Sequence, residues 1–286
     1  MTRPKRTLCI SDLTCVGRCS LAVSAPILAV CGIQPCMMPT GLLSTHPAGF
    51  KNPARLCIST YLGAAFAHLQ EEEIDFEAVC TGFFSTVGQH KLTRDVLSGL
   101  TAGALKIIDP VLGDNGSPYG IVDRLLIDSM ADLCRLADVI TPNATESALL
   151  LGMDPGGPAF TEASLRKRAE ALRALGPDAV LTGAPMQDGS VRVAVAGKEG
   201  YASFACRYTP QAYPGTGDAF TAVLTAALLR GAGLKDAAQL AARFIEHAAA
   251  YTYSKKAEAR FGLLLEPCLP YLSRLMGTFF KEGHLI

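Results

Sequence analysis

The chain has 286 residues, 49% hydrophobic and 18% charged, with 26 Lys plus Arg against 26 Asp plus Glu and therefore no formal net charge at pH 7. That balance gives no global field for nucleic acid or an acidic membrane surface, so any anionic ligand has to be captured locally. No apolar run approaches the roughly 18 residues of a membrane span, and the basic start at Arg3, Lys5 and Arg6 meets Ser11 and Asp12 before a signal-peptide core can develop, so a cytoplasmic protein is expected.

Short β-like runs then alternate with helical ones. "TLCIS" (7–11) predicts a strand, "SLAVSAPILAVCG" (20–32) a helix and "IQPCMMP" (33–39) a second strand, followed by a helix over 54–70. The alternation continues with "EAVCTG" (77–82), a helix over 86–100, "ALKIIDPVLGD" (104–114), a helix over 121–135, and "ADVITPN" (137–143) leading into the helical "ATESALLLG" (144–152). Apolar strands between helices predict a parallel sheet covered on both faces.

After "FTEASLRKRAEALRALG" (160–176) the rhythm changes. "DAVLTG" (178–183), "SVRVAVAG" (190–197) and "YASFACRYTP" (201–210) are separated only by the turns "APMQDG" and "KEG", which predicts antiparallel hairpins. Helices over 214–230 and 233–254 and an amphipathic segment over 266–280 complete the chain. The expected fold is α/β and doubly wound: a mostly parallel central sheet with helices on both faces and an antiparallel edge, in one domain over 1–286.

Ten cysteines lie at 9, 15, 19, 31, 36, 57, 80, 134, 206 and 268, with no CxxC pair, and read as small buried hydrophobes. A metal cluster on Cys15, Cys19, Cys31 and Cys36 is disfavoured because these fall on a predicted loop, helix and strand. The Asn143-Ala144-Thr145 sequon is no glycosylation site without a secretory route.

In open α/β sheets ligands bind beyond the C-terminal strand ends, which directs attention to "SDLTCVG", "DPVLGDNG", "TPNATES" and "PGTGDAF". In the last of these, Gly215, Thr216 and Gly217 precede a helix with Asp218 in its first turn. Unpaired N–H groups at a helix start attract anions, so a carboxylate there is the odd feature. Asp218 reads as an ordinary helix-start residue, or as a base that removes a proton from an attacking hydroxyl while the N–H groups of 215–217 stabilise a transferring phosphoryl group. No Walker GxxxxGK[ST], HRD or DFG sequence occurs. Asp109 and Asp114 in "DPVLGDNGSPY" follow a buried strand, where two carboxylates can hold Mg²⁺ through water as it bridges ATP oxygens; a local turn at Asp109-Pro110 is the plain alternative. Asn143 and Glu146 in "TPNATE" match a capping box, and Glu146 can equally bond a metal-bound water.

These motifs, in this order, resemble the ribokinase-like superfamily and within it the pyridoxal (vitamin B6) kinases. The match rests on Asp109 to Tyr119, on Ala137 to Glu146, on the opening "ISDLTCVGRCSLAVSAPILAVCGIQ" and on "LLSTHPAGF" (42–50), and spans roughly residues 8 to 250. The resemblance implies an ATP-dependent kinase of pyridoxal, pyridoxine or pyridoxamine acting on the 5′-hydroxymethyl group, with Asp218 as base and Gly215, Thr216 and Gly217 as anion hole. It implies Asp114 and Glu146 around Mg²⁺, Asp109, Tyr119, Thr141, Asn143 and Thr182 near ATP, and Ser11 at the pyridine nitrogen, with Thr45, His46 and Phe83 on the substrate side. A monovalent cation such as K⁺ and a homodimer belong to the same expectation, as does the absence of nucleic-acid and membrane partners.

Two departures bear on vitamer choice. After Thr45 and His46 the chain has Pro47-Ala48, which removes a hydroxyl and adds rigidity, and Phe83 in Thr81-Gly82-Phe83 keeps a ring face but no phenol. The alternatives are a hydroxymethylpyrimidine kinase, a family that often carries Cys in place of the final Asp, and a catalytically silent vitamer- or nucleotide-binding relative. A sugar kinase fits less well, because Gly17 stands without an adjacent glycine.

Overall fold

A computed structural model describes residues 3–207 and 209–281. Tyr208, inside the run expected as the last strand, lies outside the described residues.

The chain begins with β1 (Arg6–Val16), α1 (Leu21–Val30), β2 (Gln34–Thr45) and β3 (Arg55–Cys57), then α2 (Ser59–Glu71), β4 (Ala78–Thr81) and α3 (Val87–Ser98). β5 (Leu105–Ile108) leads into a small hairpin of β6 (Gly113–Asp114) and β7 (Ser117–Pro118), followed by α4 (Arg124–Cys134), β8 (Val139–Ile140), α5 (Ala144–Leu150) and α6 (Glu162–Arg173). β9 (Asp178–Pro185), β10 (Val191–Gly197) and β11 (Gly200–Cys206) precede α7 (Thr216–Leu229), α8 (Leu234–Ser254) and α9 (Leu269–Lys281).

The main sheet has nine strands in the order β11-β10-β9-β8-β5-β4-β1-β2-β3. From β9 to β2 all neighbours are parallel, while β10 and β11 at one edge and β3 at the other run antiparallel. The strands bury both faces, as their continuous apolar runs require. Cys9, Cys80, Ile107 and Val139 pack into one core with α1, α7, α8 and α9, whereas Leu8, Ile10, Val79, Ile108 and Ile140 pack into a second core with α2 to α6. Ile10, Ile107 and Ile108 are fully enclosed, so truncating any of them to Ala would cost about 2–5 kcal/mol. α7 is buried almost all round, consistent with its Ala- and Leu-rich sequence, and runs down the middle of the first core.

Three expectations need correction. The helix expected over 54–70 starts at Ser59, because Arg55–Cys57 is captured as an edge strand by Gly41–Leu43 of β2. β1 and β2 run on to Val16 and Thr45, well past their expected ends, since each supplies the other's ladder bonds beyond the point where β4 stops. β9 likewise extends to Pro185, paired with β10, so Thr182 lies within a strand and does not end one.

From β1 the chain goes to β2 on one side and to β4 on the other, so the sheet's direction of growth reverses between β1 and β4. Such a reversal leaves a crevice at the C-terminal strand ends.

Candidate active site

α7 starts at that crevice. Its N-cap, Gly215, has φ 82°, and a Cβ there would overlap the Arg18 carbonyl oxygen, so only glycine lets the helix start lie against the β1–α1 loop. The first intrahelical bond is from the Ala219 N–H to the Gly215 carbonyl, 3.0 Å, which leaves the N–H groups before Ala219 without a carbonyl four residues back. Thr216 Oγ1 donates to the Tyr213 carbonyl, 3.2 Å, pinning the turn.

Asp218 Oδ2 accepts the Ser20 N–H at 2.8 Å. Burial raises the Asp218 pKa to about 6; the Ser20 bond opposes this and the Asp12 charge adds to it. A carboxylate with that affinity for protons is ionised at neutral pH yet is a far better base than a free aspartate.

Asp109 follows β5 and is buried. Its Oδ2 accepts Thr221 Oγ1 at 3.2 Å, and the Thr221 and Thr141 hydroxyls are 3.0 Å apart, so the ends of β5 and β8 are tied to α7. Burial first, and the Asp218 charge second, push Asp109 up to about 8. Among the described residues Asp109, Glu146 and Asp218 form no ion pair, so three acidic side chains gather here without a cationic partner and burial favours their protonated forms.

The capping box at α5 is present. Asn143 Oδ1 accepts the Glu146 N–H at 2.9 Å and Glu146 Oε2 accepts the Asn143 N–H at 2.8 Å. Glu146 Oε1 also accepts the Leu112 N–H at 3.2 Å, while Asn143 Nδ2 donates to the Gly113 carbonyl at 2.9 Å, so the pair clamps the β6–β7 hairpin onto α5. Burial, with the Asp109 charge behind it, raises the Glu146 pKa well above the usual range. Thr182 joins this end through its N–H to the Pro142 carbonyl, 2.9 Å. Asp114 lies on the exposed hairpin, its carboxylate taken by the Asn115 N–H at 2.8 Å and Nδ2 at 3.1 Å. Tyr119, beyond the hairpin, is 41% exposed.

On the substrate side, Ser11 Oγ accepts the Phe83 N–H at 3.0 Å. A Cβ on Gly82 would lie 2.5 Å from Ser11 Oγ and 3.6 Å from Asp218 Oδ1, so β1, the end of β4 and α7 meet at one point that only glycine leaves open. Thr40 Oγ1 donates to the Phe83 carbonyl at 3.0 Å, which fixes the half-buried Phe83 from its other side. Thr45 ends β2, half-buried. His46 is buried, edge-on to Phe50 with ring centroids 5.2 Å apart, and packed so tightly on Gly17 that a Cβ there would lie 2.5 Å from its Cδ2. Neither ring nitrogen meets hydrogen-bond geometry with a partner, and burial lowers the His46 pKa, against the nearby Arg260 backbone and the Asp12 charge.

The fold thus brings Ser11, Gly82, Asp218, Asp109 and Thr141 together and gathers Asn143, Glu146 and Gly113 beside them, with Asp114 on the exposed hairpin next to Gly113, near enough for its charge to raise the Glu146 pKa. Asp12, Ser20 and Thr221 are part of the site and were not singled out from sequence. Thr221 could have been found by its place one helical turn after Asp218 and Asp12 by its strand end, but nothing local marks Ser20.

The phosphomethylpyrimidine kinase family model matches residues 56–261. A Bordetella avium pyridoxine/pyridoxal/pyridoxamine kinase is 29% identical over 243 residues, 80% of this chain and 79% of its own. The crystal structure of a Lactobacillus plantarum pyridoxal kinase is 31% identical, with 99% of each chain covered and a TM-score of 0.88. A Bacteroides thetaiotaomicron protein named for phosphomethylpyrimidine kinase activity, in its orthorhombic crystal form with pyridoxal, is 33% identical over 94% of this chain and 96% of its own, with a TM-score of 0.90. The chain belongs to the phosphomethylpyrimidine kinase family and, within the ribokinase-like fold, to its pyridoxal kinases, which makes it a phosphotransferase.

Proposed function

We propose that this kinase transfers the γ-phosphoryl group of ATP to the 5′-hydroxymethyl group of pyridoxal, pyridoxine or pyridoxamine, with Asp218 as the base. The observation that carries the reading is the position of Asp218: a carboxylate of raised proton affinity at the unpaired N-terminus of α7, facing the Ser11–Gly82 floor of the crevice. Asp218 takes the hydroxyl proton as the substrate oxygen bonds to phosphorus and the bond to the ADP oxygen breaks, and the proton later passes to solvent. The N–H groups of Gly215, Thr216 and Gly217 face the charge that grows on the transferring phosphoryl oxygens. Ser11 and Phe83 hold the ring, with Thr45 and His46 behind them, while Thr141, Asn143, Tyr119 and Thr182 border the nucleotide.

Mg²⁺ is the metal this reading requires. The enclosed acids Asp109 and Glu146, which have no cationic partner among the described residues, suit a cation. Among the described residues no three His, Cys, Asp or Glu side chains group to chelate one alone, so phosphate oxygens and water would supply most ligands, as Mg²⁺ commonly keeps them. Both Glu146 oxygens already accept backbone N–H groups, so Glu146 and the exposed Asp114 would act through water. When bound, the ion neutralises phosphate charge. A monovalent cation, a cytoplasmic homodimer and ATP as the phosphoryl donor complete the reading.

Phosphorylation of hydroxymethylpyrimidine is the second reading, favoured by the family whose model matches. ADP release measured with each vitamer and with hydroxymethylpyrimidine separates the two. Pyridoxal turnover abolished in Asp218→Ala supports the main reading; turnover on hydroxymethylpyrimidine alone replaces it; vitamer binding without ADP release by the parent identifies a silent relative.

A further inference from the structure

We propose that Asp12 is a positioning residue for Asp218, acting through Ser20; the inference rests on the reading of Asp218 as base. Asp12 sits on β1 where the pairing with β2 shifts register between Ser11 and Leu13. It is 4% exposed and forms no ion pair among the described residues. Its Oδ2 accepts Thr14 Oγ1 at 3.0 Å and its Oδ1 accepts Ser20 Oγ at 2.5 Å. Burial raises the Asp12 pKa, and the Ser20 and Thr14 hydroxyls, one on each oxygen, oppose that by favouring the ionised carboxylate.

Ser20 therefore joins two carboxylates: its hydroxyl donates to Asp12 and its amide donates to Asp218 Oδ2 at 2.8 Å. It does so with φ 54° and ψ −133°, a backbone that serine rarely adopts and glycine takes freely. Glycine at this position would supply the same amide. What serine adds is the hydroxyl, and that hydroxyl is anchored on Asp12. The Asp12–Ser20 bond holds the strained turn, and the turn aims the amide at the base.

Asp12 also acts by charge. The groups facing Asp218 are Asp12 from β1, Cys19 from the β1–α1 loop, Asp109 from the end of β5 and Tyr119 from beyond the β6–β7 hairpin. His46 lies in the field of Asp12, which raises its pKa against the lowering by burial. Behind burial, the negative charge of Asp12 helps Asp218 hold a proton, so neutralising position 12 weakens Asp218 as a base.

The test is kcat and KM as functions of pH for the full chain with ATP and pyridoxal, in Asp12→Asn, Ser20→Ala and Asp218→Ala. Asp12→Asn should lower kcat about tenfold, as slight misplacement of a reacting group does, with both KM values near the parent's. Ser20→Ala should lower kcat similarly and, because it keeps the Asp12 charge but loosens the amide bond that lowers the Asp218 pKa, should move the acid limb to higher pH. A merely structural role would leave the acid limb of Ser20→Ala in place, and an Asp12→Asn kcat equal to the parent's overturns the inference. If Asp12→Asn is insoluble, Ser20→Ala decides: parental kcat overturns the inference and reduced kcat sustains it. Full turnover in Asp218→Ala overturns the base assignment itself, and so is distinguishable from a failure confined to the Asp12 and Ser20 variants.

Discussion

Gly215 lies against the carbonyl oxygen of Arg18, and this contact sets where the N-terminus of α7 sits relative to β1. The same carbonyl faces Gly262, where a Cβ would be 2.7 Å away, so two positive-φ glycines close around one peptide. Gly215→Ala must both strain φ and push the loop that carries Ser20 away from Asp218. We expect a loss of about 2 kcal/mol or more in stability and a collapse of kcat, read by thermal melts alongside turnover.

Asp218 has its pKa raised to about 6, so kcat should fall as pH drops through about 6, where the base becomes protonated. Asp218→Asn keeps the shape and removes the base. Its turnover should fall about 10²–10⁴-fold, with no acid limb near 6 in what remains; a pH profile of the variant checks both.

Asp109 has its folded pKa pushed up to about 8, against about 4 in an unfolded chain. The sign follows: its contribution to stability is fully present below pH of about 4, declines as the unfolded chain releases the proton first, and is lost by about pH 8. Asp109→Asn cannot lose that proton. The variant should therefore melt above the parent, by a margin larger at pH 8 than at pH 5, while losing activity.

Phe83 is fixed at its N–H by Ser11 and at its carbonyl by Thr40, so the backbone changes little when a hydroxyl is added to the ring. Phe83→Tyr should lower the KM for one vitamer by about three- to tenfold if the phenol finds a partner on it, the worth of one hydrogen bond. Steady-state comparison across pyridoxal, pyridoxine and pyridoxamine reads this directly, and equal KM values throughout would place the ring away from the substrate.

Asn143 caps α5 and also bonds Gly113. Asn143→Ala should cost about 1 kcal/mol from the cap and free the hairpin. A lower melting temperature with a raised KM for ATP and an unchanged KM for pyridoxal is the expected pattern.

Much of the fold was legible because it is local. The alternation of apolar runs and helical periods specified a parallel sheet covered on both faces, and the "DG" turn at 188–189 announced the β9–β10 hairpin. The failures were non-local: Arg55–Cys57 reads as helix until β2 offers it ladder bonds, and β1 outruns "TLCIS" because β2 runs beside it. The candidate site divides the same way. Asp218 and the Asn143–Glu146 box carry their own short-range signatures, Thr221 is marked only by its place one helical turn after Asp218 and Asp12 only by its strand end, and Ser20 carries none.

By itself, the sequence determined which groups could do chemistry here: a Gly-Thr-Gly turn before an acidic first helical turn, and acidic motifs after apolar strands, each specified within about ten residues by backbone geometry and capping. Only the tertiary structure decided what those groups are. Burial raised the proton affinity of Asp109, Glu146 and Asp218, the hairpin left Asp114 exposed, and Ser20, 198 residues before Asp218, was brought within 2.8 Å of it. Proton affinity depends on solvent exclusion and on charges from distant strands, and neither exists until the chain has closed.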